Sequence, residues 1–201
     1  MNGQIGLFVA ALLIGVLLPP GIQHPPLPPI PPKPSDRLAE ILRQTTATKA
    51  VDKTAQLALA YSRAFAESGE DRLQSGQSFA ADRMAEAADA LLHVAQHQQH
   101  LQTGGGPKGP PPPAPIQDQL QRTYFRIQQA DYFLSQARDS RAASFPKWSR
   151  DFYQLAVRAY ERHDLVAADE NAKSAEDIVR ALENLAQAAA SPQGGAGKDP
   201  L

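Results

Sequence analysis

Residues 164–190 read DLVAADENAKSAEDIVRALENLAQAAA, in which Leu165, Ala168, Ala172, Ala175, Val179, Leu182, Ala186 and Ala189 recur at alternating spacings of three and four. That alternation places all eight on one stripe of an α-helix. Asp164 sits where its carboxylate can accept from the unpaired amides of the first turn. The seam is mostly alanine, which lets a neighbouring helix approach closely but supplies little bulk.

Bulk is expected from the two helices upstream. Trp148, Phe152, Leu155 and Ala159 stripe one of them, opened by Ser144-Phe145-Pro146 with proline in the first turn and closed near His163. Ile116, Leu120, Ile127, Ala130, Leu134 and Ala137 keep a seven-residue repeat through the other, which also carries Tyr124, Phe125, Tyr132 and Phe133. Residues 36–102 contain few helix breakers other than Gly69 and Gly76. There the spacing predicts a helix from Asp36, capped by Ser35, to about Ser68, with Val51, Ala55, Ala58, Ser62 and Phe65 on its buried face. A loop over residues 69–78 and a second helix from Phe79 to about Leu101, striped by Met84, Ala88, Leu91 and Ala95, complete a hairpin.

Fifteen of the 18 prolines fall into two tracts, nine between Pro19 and Pro34 and six between Pro107 and Pro115. Each ring removes an amide donor and fixes φ near −65°, so these tracts are extended spacers between helical modules. The first would hold the body about 50 Å from whatever residues 5–22 are inserted in. Residues 5–18, IGLFVAALLIGVLL, carry no charged or polar side chain, and with Gly21 and Ile22 they approach the length of a membrane span. The expectation is an uncleaved single-pass anchor with the body outside the cytoplasm, the alternative being a cleaved signal and a secreted or periplasmic protein.

The fold class expected is therefore all-α: a membrane anchor or signal over 1–22, a Pro-rich spacer over 23–35, and helical modules over 36–103 and 116–190. A Gly/Pro-rich linker over 104–115 joins the modules, and 191–201 form a tail. The two modules amount to four or five helices in a bundle-like arrangement. They also look related. A shift of 87 residues sets Ala80-Ala81-Asp82 on Ala167-Ala168-Asp169, while Arg63-Ala64-Phe65 answers Arg158-Ala159-Tyr160 at a shift of 95, which would make the first loop eight residues longer. His163 to Ala168, leading to Ala172 and Ala175 and preceded by Ala159-Tyr160, resembles the turn and second helix of a tetratricopeptide repeat, with His163 where that family usually has glycine. The resemblance covers one hairpin and lacks the terminal proline, whereas a solenoid needs about three stacked units.

Composition excludes several functions. With no cysteine there is no disulfide, thiolate metal site, cysteine nucleophile or acylated lipid anchor. A net charge of −1 offers no footprint for nucleic acid. No phosphate loop or G-x-S-x-G elbow is present, so the chain is expected to be non-catalytic, to need no cofactor, and to serve protein–protein contact or scaffolding, with self-association through its helices as a further expectation.

Two features remain as candidate sites. His93, His97 and His100 share one helical face at metal-ligand spacing, which supports an alternative function in metal binding or metal response; the plainer account is a polar helix end. Leu27, Pro28, Pro31 and Lys33 follow the order of a polyproline docking peptide. Finally, Arg138, Arg141, Lys147, Arg150, Arg158 and Arg162 face an acid-rich last helix in sequence, and charge pairing between these neighbouring helices is expected.

Overall fold

A computed structural model describes residues 32–103 and 115–191. The anchor or signal segment, most of the first spacer with Leu27, Pro28 and Pro31, and the 104–114 linker lie outside the described residues. Among the described residues there are seven α-helices, one 3-10 turn and no strand: α1 (Pro34–Ala47), α2 (Lys53–Gln74), α3 (Ser78–Gln102), α4 (Ile116–Ile127), α5 (Ala130–Ala137), the 3-10 turn (Ser140–Ala142), α6 (Phe145–Glu161) and α7 (Leu165–Ala190). None of these helices is long and apolar enough to cross a membrane.

Seven helices replace the expected four or five because two long helices are each broken. The first breaks over residues 48–52. Thr45 and Thr46 turn their hydroxyls back onto the Leu42 carbonyl at 2.9 Å, competing with the helical ladder, and Thr48 leaves in an extended conformation. Asp52 then starts α2 by accepting from the Ala55 amide at 2.7 Å. The second break lies at Gln128 and Gln129, where the Gln129 amide bonds Arg126 rather than a residue four back. The seven-residue repeat passes through it unbroken: Leu120, Ile127, Ala130 and Ala137 are all buried.

Two boundaries also move. Pro34 is the first helical residue of α1, and the Lys33 carbonyl accepts from the Asp36 and Arg37 amides; Ser35 bonds Asp36 instead of capping. The α2 helix runs on through Gly69, leaving a three-residue turn, residues 75–77, in which Gly76 takes φ +74°. Within the helix, Gly69 lies under α1: a methyl group there would come within 2.7 Å of Leu38.

The centre of the bundle is the antiparallel pair α3 and α7, both buried on most of their circumference. Leu91, Val94, Ile178, Val179, Leu182 and Leu185 meet there, so both modules feed a single core. At one end Tyr61 and Phe65 of α2 pack edge-on against Phe145 of α6, with centroids 5.0 and 6.2 Å apart. The expected supply of bulk from aromatics is only half right. Phe145 and Phe152 are buried, whereas Tyr124, Phe125, Tyr132 and Leu155 are exposed, as are Leu165 and Ala189 at the ends of the α7 stripe.

Candidate functional site

The α3 helix carries Met84, Ala88, Leu91 and Ala95 into the core, which turns His93, His97 and His100 along its flank toward α7. Opposite them α7 offers Glu170, Asp177 and Arg180. The row therefore lies in a helix–helix seam, and each histidine meets a different environment.

His97 is the centre. Its Nδ1 lies 2.5 Å from Glu170 Oε2 and its Nε2 lies 3.2 Å from Asp177 Oδ2, with only 18% of the side chain exposed. Burial disfavours the imidazolium, but hydrogen bonds to Asp177 and Glu170, together with their charges, override that penalty and raise its pKa to about 9. For Glu170 burial likewise disfavours the charge, yet the bond to His97 and the charges of His97, Lys173 and His100 hold its carboxyl below the usual range. At neutral pH both ring nitrogens of His97 donate, and the ring is a two-pronged cationic clamp between α3 and α7. Just beneath, Gln98 donates to the Ser174 hydroxyl at 3.3 Å.

His93 is separated from this centre chemically. The Arg180 guanidinium donates to its Nδ1 at 3.2 Å while also pairing with Asp177 at 2.7 Å. That contact occupies the nitrogen facing α7, and the other ring nitrogen turns toward Asp89, 4.0 Å away, rather than toward Glu170. His100 is 62% exposed, with Nδ1 3.8 Å from Glu170 Oε2. The metal-capable set is thus His97, His100 and Glu170, whose ligand atoms lie within 4.8 Å of one another. The residue missed by sequence reasoning is Glu170, on another helix 73 positions away.

Those three donors suit a borderline cation such as Zn²⁺. Ligation requires neutral His97, however, and a pKa near 9 makes a metal displace a proton at neutral pH, a competition of about a hundredfold. The geometry favours the proton. Lys33, from the docking-peptide reading, is exposed and uses its carbonyl to cap α1.

The charge pairing expected between α6 and α7 is absent among the described residues. Lys147 pairs with Asp151 of its own helix, Arg150 with Asp131 of α5, and Arg141 with Asp139 while lying 4.5 Å over the Phe65 ring. The acids of α7 look elsewhere: Glu183 to Arg126 and Glu176 to the Thr123 hydroxyl of α4, Asp169 to Lys173. The α6 cations fail to meet them because α6 turns Ser149, Phe152, Ala156 and Ala159 to α7 and keeps its charges on the outer face.

Outside the seam, α4 presents Tyr124, Phe125 and Arg122 to solvent, and Phe125, Arg122, Arg126, Gln129 and Glu176 border a shallow cleft of about 390 Å³. Comparison with protein-family models, with curated proteins and with solved structures finds no match to this chain.

Proposed function

We propose that the chain is a non-catalytic interaction module, tethered to or exported across a membrane by residues 5–22, that binds a protein partner through the outer face of α4 and α5. The observation carrying this is the exposure of Phe125 (60%), with Tyr124 against it on α4, and of Tyr132 (64%) on α5, in a molecule whose core is filled largely by alanine and leucine. Large aromatics left in water while alanines are buried have their value in a complex, where rings anchor the centre of an interface. Arg122 and Arg126 beside Phe125 favour a partner that presents acidic side chains around an apolar one. In this reading the proline spacer sets the reach of that face from the bilayer.

The test is photo-crosslinking in the native cell from a reactive residue at Phe125 or Tyr132, with Leu57, an exposed position on α2, as the control. A discrete adduct from the α4–α5 positions, absent from Leu57 and lost in Tyr124→Ser, supports the proposal. Identical adducts from all positions, or none, refute it.

A further inference from the structure

The two halves share more than composition. The α2–α3 turn and the α6–α7 turn have the same length and the same bonds: Gly76 to Leu73 and Gln77 to Arg72 in one, His163 to Tyr160 and Asp164 to Ala159 in the other. Both close a helix with a left-handed residue, Gly76 at φ +74° and His163 at φ +61°. Each donor and acceptor of the first turn falls on its counterpart in the second by one shift, the 87 residues that also separate His93 from its partner Arg180. The eight-residue difference in loop length expected from Arg63-Ala64-Phe65 is therefore wrong.

Under this single shift, Asp52, which caps α2, falls on Asp139, which caps the 3-10 turn. Buried Ser62 and Phe65 of α2 fall on buried Ser149 and Phe152 of α6, and Gly69 on Ala156. Every buried position of α3 except Ala80 falls on a buried position of α7. Leu38, Ile41 and Thr45 of α1, on the flank of α2 and α3, repeat the burial and spacing of Leu120, Thr123 and Ile127 of α4, on the flank of α6 and α7. The second half differs by inserting α5.

Most polar contacts across the seam obey a stronger rule. Exchanging the halves converts the contact of His97 with Glu170 into that of Asn184 with Arg83, which exists at 3.3 Å. It converts the contact of His100 with Glu170 into that of Gln187 with Arg83, which exists at 3.5 Å. It returns the contact of His93 with Arg180 to itself. Contacts that map onto contacts on exchange are the signature of a two-fold axis, here passing beside His93 and Arg180; the bonds of His97 with Asp177 and of Gln98 with Ser174 fall instead on the pairs Asn184 with Ala90 and Leu185 with Ala87, where the halves have diverged.

We infer that residues 32–103 and 115–191 are two copies of one three-helix unit joined as a built-in dimer, and that the α3 and α7 faces have diverged so that each half recognises the other and rejects itself. The polar residues supply the rejection. Two α3 faces would set Arg83 against His97 and His100, with no carboxylate in place of Glu170 or Asp177. Two α7 faces would set Arg180 on Arg180 and leave Glu170 facing only Asn184 and Gln187. Only the mixed pair gives His97 its two carboxylates, so specificity arises from repulsion in the wrong pairs as much as attraction in the right one.

A protease site placed within residues 104–114 of the otherwise full chain, cut after folding, tests this by size-exclusion chromatography with native mass spectrometry. One species holding one copy of each half is expected, before and after denaturation and refolding of the cut mixture. Separation into free halves, or any species with two copies of the same half, would overturn the inference. A second measurement avoids refolding: in the intact chain, Glu170→Arg, which gives α7 the α3 residue at the equivalent position, should lower the folding equilibrium constant at pH 7 by at least about tenfold. Arg83→Gln, at the equivalent position, gives up a single ion pair, with its chain neighbour Asp82, and meets neutral Asn184 and Gln187 across the seam, and should lower it by less than about threefold. Equal losses would show that the two faces carry no heterotypic code.

Discussion

At the residue scale, His97 makes the stability of the molecule depend on pH. Its pKa rises on folding to about 9 from an ordinary 6.5, so the stabilisation it contributes is complete below pH 6.5 and is lost as pH rises through 9. The size is about 3 kcal/mol for a shift of this order. Denaturant midpoints should fall between pH 6.5 and 9.5 in the wild type, and His97→Gln should show a shallower slope there; parallel curves would remove His97 from the clamp role. Glu170 acts on the other side, since its lowered carboxyl pKa means its contribution is present above the ordinary carboxylate range and is lost on acidification. Equilibrium dialysis at pH 7 with Zn²⁺, Ni²⁺ and Cu²⁺ should find no submicromolar site. Tight binding abolished by His97→Ala would show that a metal outcompetes the proton. That the three histidines share a face was legible from their spacing; their different fates were not, because spacing is silent about Glu170, Asp177 and Arg180 on a helix 73 to 87 residues downstream.

At the element scale, the α7 stripe from Ala168 to Ala186, the Asp164 cap and Pro146 in the first turn of α6 stand as their sequence patterns imply. The breaks at residues 48–52 and at Gln128 were hidden because apolar periodicity continues across both; threonine hydroxyls and one tightened hydrogen bond end the helices, and neither disturbs the stripe. Gly69 reads in the sequence as a loop residue, but its lack of a side chain serves instead to admit Leu38 of α1 against α2. Gly69→Leu therefore overpacks that crossing, and a loss of about 2 kcal/mol is expected, with faster hydrogen exchange in α1 than in α6. Unchanged protection of α1 would mean that the close approach is dispensable. The exposure of Tyr124, Phe125 and Tyr132 was illegible for the opposite reason: aromatic content signals a core, and only the filled α3–α7 centre shows that these rings were left out of it.

At the scale of the whole molecule, the expectation of two modules remains visible in the repeated turns, but α3 and α7 merge their cores. Cooperative unfolding follows, because neither module can bury its central helix without the other. The chain has a single tryptophan, Trp148 in α6, while helical circular dichroism reports both halves. The two signals should give coincident denaturant transitions; a Trp148 transition displaced from the dichroism curve would mean independent modules. The all-α class was readable from uninterrupted 3–4 spacing, whereas the two-fold relation needed contacts, since alanine-rich helices match one another at many shifts.

The absence of an aromatic counterpart in the first half has a consequence for valency. The α1 positions corresponding to Tyr124 and Phe125 are Leu42, half-buried against the core, and Arg43. An ordinary homodimer would display its binding face twice and could bridge or cluster its targets. This molecule, symmetric at its centre, displays Phe125 and Tyr132 once, so the proposed interaction would have a stoichiometry of one and gain no avidity from the duplication.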